Sequence, residues 1–401
     1  MNITSSHRRC ITSSCSSLFF LLTSTSNSLP TSAFSKVKYY PSPNRNLFLS
    51  NYYSSSSSSS FTMTNINTNT NTNNDCIVKE LTLTCSDGIK LAGKQWTDVN
   101  DHSENSNDTL IVCLHGWLDN ASSFDSLAPS LTFANTSTSP HNHDAKVVAL
   151  DLPGHGKSSH KSPDAPPQLI SEYTFYIYEA IQQLNQGKNK KVILVGHSMG
   201  AAIALLFTSA FPELVQSVIL LDGAGPLSKQ VSSLPNSIQS SVLNRTKKNL
   251  QKKKRIYKSL EDAIAVRMKS ATLLPGKQYM RYQTAKALVQ RSTTSVEDID
   301  DGGLMFHHDV RLNWPSLQYL TPEQVDVIYE SIASSSCTVC LLRAQDGWPI
   351  SESLQMAIQT KLKPSYFQTL PGSHYFHSDP DTAPAVLSEI KKFLLKQNLG
   401  K

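Results

Sequence analysis

VILVGHSMGAAIALLF, residues 192–207, changes character in its middle. VILV is apolar and mostly β-branched, as in a buried strand, and GAAIALLF is small and aliphatic, as in a buried helix. Between them Ser198 stands two residues from Gly196 on one side and from Gly200 on the other. A chain that passes directly from strand to helix forces the residue at the join into strained backbone angles. It also demands almost no side-chain volume two residues before and after. The pattern therefore lifts the Ser198 hydroxyl above the edge of a sheet, at the N-terminus of a helix whose free N–H groups favour negative charge. That is the position of a nucleophile.

The sequence on either side repeats the strand–helix alternation. IVKELTLTCSDGIKLAGKQW begins the folded body as two alternating segments around Asp87-Gly88, a β-hairpin. TLIVCLHG (109–116), KVVALDLPGHG (146–156) and SVILLDGAG (217–225) are further strands, with helical patterns between them. Unbroken apolar strands separated by helices imply an α/β protein whose mostly parallel, eight-stranded sheet carries helices on both faces. From 227 to 335 the pattern becomes helical and charged, and strands resume at TVCLLRAQDG (338–347) and SYFQTLPGSH (365–374) before a closing amphipathic helix. The expected organisation is a core in two parts, 76–226 and 336–401. A helical lid, 227–335, is inserted between strands 6 and 7, with hinges at Ser-Ser-Leu-Pro and Leu-Leu-Pro-Gly.

Residues 1–75 form a separate compositional class. They are rich in Ser, Asn and Thr, with five basic side chains and no acid before Asp75, and cannot bury enough apolar surface to offset the entropy of ordering. The expectation is a disordered targeting leader for a plastid or mitochondrion, with TSAFSK (32–37) similar to a plastid-leader cleavage site. A cytoplasmic protein with an unstructured tail is the alternative. Of the net charge of +6, residues 1–74 carry +5, so the body gives no electrostatic reason to expect nucleic acid.

A serine hydroxyl needs a base. In a strand-to-helix architecture of this kind the base arrives last in the chain, on the loop after the final strand. LPGSHYFHSDP offers His374, directly after a Pro-Gly-Ser turn, and His377, expected at the surface or in a supporting role. The acid that orients the imidazole is expected to be Asp346, after TVCLLRA, with Asp222, at the end of SVILLD, as the alternative. An oxyanion would be met by the backbone N–H of Met199 and that of Trp117, in the loop His115-Gly116-Trp117-Leu118, where Gly116 permits close approach. The Trp117 indole would wall the pocket or sit in the core. Asp151 and His155 are expected to fix neighbouring loops. The pair Cys337 and Cys340 lies in a strand-like run where i and i+3 point to opposite faces, so reduced buried thiols are expected rather than a metal site. No cofactor is implied.

LHGWLDNASSFD, ALDLPGHGKSSH, VGHSMGAAIA, LLDGAGPL and LPGSHYFHSDP together resemble the α/β-hydrolase fold superfamily over roughly residues 78–396. HGWLDNASSF, KSLEDAIAVRM and HHDVRLNWPS…LTPEQV are similar to segments of the serine-hydrolase-like proteins. The resemblance implies a Ser-His-Asp hydrolase cleaving an ester, thioester or similar acyl bond. LLRAQDG lacks the glycine that usually stands three residues before the acid. The chain given ends Leu-Gly-Lys, without the Ser-Lys-Leu-like peroxisomal address of some relatives. His374 and Asp379 fit the H-x4-D spacing of some acyltransferases. An acyltransferase and a catalytically idle ligand-binding protein are the other readings. RTKKNLQKKKRIYK (245–258), with eight basic residues and no acid, would be a solvated helix or a surface for anionic lipid or an acidic acyl donor.

Overall fold

The computed structural model describes residues 61–64, 76–98, 109–132, 145–186, 188, 190–249, 255–296 and 303–398. In chain order its strands are β1 (Phe61–Thr64), β2 (Cys76–Thr84), β3 (Lys90–Asp98), β4 (Thr109–Leu114), β5 (Ala145–Leu150), β6 (Val192–His197) and β7 (Val215–Leu221). After these come β8 (Ile256–Tyr257), β9 (Thr293–Ser295), β10 (Leu304–Phe306), β11 (Thr338–Asp346) and β12 (Tyr366–Ser373). Its helices are α1 (Ala128–Leu131), α2 (Tyr173–Leu184), α3 (Met199–Ala210), α4 (Leu234–Asn249), α5 (Leu260–Ala271), α6 (Tyr282–Ser292), α7 (Pro322–Ala333), α8 (Glu352–Ala357) and α9 (Ala383–Asn398).

The main sheet has the order β1-β2-β3-β5-β4-β6-β7-β11-β12. From β5 to β12 every pairing is parallel, while β1, β2 and β3 pair antiparallel with their neighbours. The eight expected strands are therefore present, and a ninth joins them. Phe61–Thr64, assigned from the sequence to the disordered leader, pairs with β2 in the register Phe61↔Leu83. The rest of the leader, including TSAFSK, lies outside the described residues, as do the polar stretches 99–108 and 133–144.

Side-chain alternation along the central strands builds two cores. Val112, Leu194, Val218 and Leu341 face α2, α3 and α7, whereas Ile111, Val195, Ile219 and Cys340 face Phe124, Val386 and Phe393 on the other side. Cys337 belongs to the first core and Cys340 to the second, so the C-x-x-C pair is divided between the two faces. Burial pushes both thiols up, Cys337 to about 12.

The segment between β7 and β11 departs from the expected boundaries. Its last helix, α7, is part of the main core, with Val325, Ile328, Tyr329 and Ile332 packed beside α3. The separate part therefore ends near Leu320 rather than at 335. It has a small three-stranded sheet, β8-β10-β9, and its own apolar cluster of Ile264, Met280, Leu288 and Val289 against Tyr375.

Buried charge ties this segment to the sheet. Arg291 of α6 is nearly inaccessible; its Nε donates to Asp151 at 2.9 Å and its Nη1 to Glu80 of β2 at 2.6 Å. Asp151 also accepts the backbone N–H of Ala121 at 2.7 Å and of Lys157 at 2.8 Å, so it does fix neighbouring loops. Arg267 of α5 pairs with the buried Asp119, and Asn120 Nδ2 donates to the Leu288 carbonyl at 2.8 Å. With α5 and α6 anchored in this way, free opening about the two Pro-containing stretches finds no support. Replacing Arg291 with methionine would leave Asp151 and Glu80 buried without their cation, and should lower unfolding stability by about 3–5 kcal/mol. Urea denaturation of the variant beside wild type measures it.

Candidate active site

The join between β6 and α3 has the strained geometry that the sequence implies. Ser198 adopts φ 50° and ψ −112°, a backbone conformation that side chains rarely take. Its N–H donates to the Leu221 carbonyl at 3.1 Å, which fixes the turn against the end of β7. The flanking glycines are required by space. A Cβ on Gly200 would collide with the carbonyl oxygen of Leu114, and one on Gly196 would run into the backbone of Gly200 and Ala201. Met199 is the first residue of α3, so its N–H is one of the donors that helix geometry leaves without an intrahelical acceptor.

His374 lies beyond the C-terminal end of β12, and its ring is almost fully buried. Its Nδ1 is 2.6 Å from Oδ2 of Asp222, an imidazole N–H donating to the carboxyl oxygen. The backbone N–H of His374 donates to Gln278 at 2.8 Å and its carbonyl accepts His197 Nε2 at 2.8 Å, so the loop is held from two sides. The Trp348 ring stands 5.7 Å from the imidazole. Because Ser198 abuts Leu221 and Asp222 is the next residue, serine, imidazole and carboxylate share one corner at the C-terminal edge of the sheet. A Cβ on the adjacent Gly223 would lie 3.0 Å from the Ser198 Cα.

The acid at this corner is Asp222, not Asp346. Asp222 is fully buried, and its carboxylate accepts the N–H of Ala344 at 3.1 Å and of Trp348 at 2.8 Å in addition to the imidazole. The Arg343 guanidinium approaches within 3.5 Å. The loop after β11 thus serves the site through its backbone. A register shift between Ala344 and Asp346 turns the side chain of Asp346 to solvent, and its carbonyl accepts Gln278 Nε2 at 2.7 Å. Gly347 passes so close to the Asp222 carboxylate that a Cβ there would overlap it. The missing glycine in LLRAQDG was the sequence sign that Asp346 is not built like the usual acid.

The loop after β4 is a tight turn closed by Asp119 N–H to the Gly116 carbonyl at 3.1 Å, with Leu118 at φ 59°. A Cβ on Gly116 would come 2.9 Å from His197 Nδ1. His115 braces the turn: its Nδ1–H donates to the Gly116 carbonyl at 2.7 Å and its Nε2 accepts the Leu152 N–H at 3.0 Å. Trp117 is not a core residue. It is half exposed, and its indole donates to the Leu312 carbonyl in the inter-strand segment at 2.9 Å.

Behind this corner lies a cluster that the sequence did not reveal. His377, expected near the surface, is fully buried with its ring 4.0 Å from that of His197 and 5.5 Å from Phe124. Asp119 stands 3.7 Å from His197 Nδ1 while pairing with Arg267. Asp379 accepts the Thr284 hydroxyl at 2.7 Å and the Arg281 N–H at 3.0 Å, a structural engagement for the acid of the H-x4-D spacing. Asp119 and His197 sit beside residues chosen for chemistry, and nothing in their spacing distinguishes them from loop residues.

A scan against family models matches residues 109–252 to the α/β hydrolase fold. The fold is that of the α/β hydrolases. It is 29% identical over 330 residues to human serine hydrolase-like protein 2, covering 78% of this chain and 94% of that protein. It is 28% identical over 290 residues to a zebrafish (Danio rerio) serine hydrolase-like protein, covering 70% and 80% respectively. Among solved structures, a hypothetical protein of Pseudomonas aeruginosa PAO1 superposes with a TM-score of 0.65 at 28% identity, over 79% of this chain and 99% of that one.

Burial pushes the imidazoles of His115, His155, His197 and His377 below their ordinary value, the last three far below. Each is then neutral in the folded chain at a pH where the unfolded chain has begun to protonate. Stability is therefore fully present above about pH 6.5 and is lost as the pH falls, by up to about 1.4 kcal/mol per histidine per pH unit. The Asp125 and Asp379 carboxyls, both raised by desolvation, act in the opposite sense, but the four histidines outnumber them. Urea unfolding at pH 7.5 and 5.5 should show a loss of several kcal/mol. Separately, Gly200→Ala should cost about 3 kcal/mol or more, because backbone rather than a side chain must move; thermal unfolding reads it.

Proposed function

We propose that the protein is a serine hydrolase that cleaves a carboxylic ester, thioester or similar acyl bond through an acyl-enzyme on Ser198. The observation that carries this reading is the 2.6 Å contact of His374 with the buried Asp222, beside a serine held at φ 50°. A binding protein has no use for that strain, which costs on the order of 1–3 kcal/mol. The likeness to serine hydrolase-like proteins supports the same reading.

His374 Nε2 takes the proton from the Ser198 hydroxyl as its oxygen attacks the acyl carbonyl. The carbonyl oxygen becomes an oxyanion that accepts the N–H groups of Met199 and Trp117. The tetrahedral intermediate collapses, the bond to the leaving group breaks, and His374 returns the proton to that group. Water then attacks the acyl-enzyme, again giving its proton to His374, and Ser198 is released with the carboxylic acid. Throughout, Asp222 holds the imidazole in the tautomer with hydrogen on Nδ1 and stabilises its positive charge. Three hydrogen bonds keep that carboxylate from turning away.

A fluorophosphonate probe phosphonylates an activated serine with loss of fluoride, and should label wild type and spare Ser198→Ala. Lack of labelling in wild type would favour the idle ligand-binding reading. Among the acids, Asp222→Asn should reduce turnover of a p-nitrophenyl ester by about 10⁴-fold, while Asp346→Asn should stay within about threefold of wild type. The reverse ranking would return the role to Asp346.

A further inference from the structure

The parallel ladder between β11 and β12 breaks just before the site. Ala344 pairs with Leu370 and Asp346 with Ser373, so Gln345 alone faces Pro371 and Gly372. Pro371 brings no N–H to the ladder. At the end of the broken ladder lie the Asp346 carbonyl and the His374 N–H, and one side chain from the inter-strand segment joins them. Gln278 is 5% exposed; its Oε1 accepts the His374 N–H at 2.8 Å and its Nε2 donates to the Asp346 carbonyl at 2.7 Å. The second hydrogen of Nε2 goes to the Pro275 carbonyl at 2.8 Å. These partners fix the orientation of the amide, since His374 offers only a hydrogen there and the two carbonyls only lone pairs. The carboxamide thus stands in for a peptide group of the ladder, with an acceptor on one side and a donor on the other.

The chain around Gln278 is shaped for this contact. Gly276 has φ 92°, and a Cβ there would come 2.8 Å from Gln278 Nε2. Next to the amide, the Ser373 hydroxyl donates to the Tyr279 carbonyl at 2.7 Å. The Leu-Leu-Pro-Gly stretch, which ends at Gly276, therefore leads into a clasp rather than a hinge. The two loops it clasps are the ones that hold the imidazole and its acid. Ala344 and Trp348 donate their N–H groups to Asp222, and His374 Nδ1 meets the same carboxylate.

We propose that Gln278 is a positioning residue for the base: its carboxamide spaces the loop after β12 against the loop after β11, and so sets where the His374 ring stands over Ser198. The proposal rests on the reading of His374 as the base, and it makes the inter-strand segment a part of that machinery instead of a cover over it. Without the amide, the His374 backbone is free to shift against the loop that holds Asp222. A misplacement of about 1 Å at a reacting group costs on the order of 100-fold in rate.

The full chain is assayed with p-nitrophenyl acetate. Gln278→Leu, which removes both bonds, should lower kcat about 100-fold with KM within about twofold of wild type. Acylation and deacylation both pass a proton through His374, so the two steps slow together and KM holds. Gln278→Glu keeps the shape and the acceptor but has no amide hydrogen for the Asp346 carbonyl. It should lose about tenfold in kcat, and it decides the matter where Gln278→Leu does not fold. Thr284→Val is the control, because the Thr284 hydroxyl ties the same segment to the Ser378 carbonyl and to Asp379, away from the imidazole. It should keep kcat within about twofold of wild type. Gln278 variants within about threefold of wild type overturn the proposal, and so does an equal loss in Thr284→Val.

Proton NMR separates this proposal from the catalytic reading. The downfield resonance of the His374 Nδ1–H, assigned by its absence from His374→Gln, should shift or vanish in Gln278→Leu and stay in Thr284→Val. If wild type takes no fluorophosphonate label, the catalytic reading fails while this resonance still tests Gln278. A resonance unmoved in both Gln278 variants overturns the positioning role.

Discussion

A single residue, Ser198, separates the end of β6 from the start of α3, and this is possible only because Gly200 lies against the Leu114 carbonyl and Gly196 against the start of the helix. That contact decides where everything else must be. It forces Ser198 to a positive φ, places its N–H on the Leu221 carbonyl, and brings the ends of β4, β6 and β7 within reach of one another. Any larger residue at either glycine would separate helix from sheet and carry the serine away from the loops around it.

Around this fixed point the structure uses backbone groups more than side chains. The Asp222 carboxylate is held by two N–H groups from the loop after β11, and His374 by hydrogen bonds through its own N–H and carbonyl. Backbone donors lose little freedom when they form such bonds, so the imidazole is oriented at small entropic cost. The inter-strand segment adds buried charge: Arg267 on Asp119, and Arg291 on Asp151 and Glu80. A pair of this kind contributes modest net stability but is costly to break from one side. It fixes how the segment sits over the sheet edge without requiring a large apolar contact.

The four neutral histidines behind the site are a consequence of the same economy of space. Each is enclosed by loops that must converge at the elbow, and burial suppresses its charge. His115 and His197 use a ring nitrogen to brace a backbone group, a job that a neutral imidazole performs at one nitrogen while leaving the other as an acceptor. The arrangement is stable where the rings are neutral and loses stability in acid.

The parallel sheet, its helices on both faces, the elbow serine and the final-loop histidine were legible in the chain. Each follows from local rules: apolar runs of strand length, glycines at fixed spacing, and a histidine after the last strand. The acid was not fixed in this way, since Asp222 and Asp346 both stand at strand ends and differ only in how the backbone bends beyond them. A register shift of β11 against β12 turned one carboxylate to solvent and left the other under the imidazole. The membership of α7 in the main core, the burial of His377, the pairing of Phe61–Thr64 with β2 and the Arg267–Asp119 contact were equally invisible. All join residues far apart in the chain, and sequence periodicity reports which face of an element is apolar but not which distant surface it will meet.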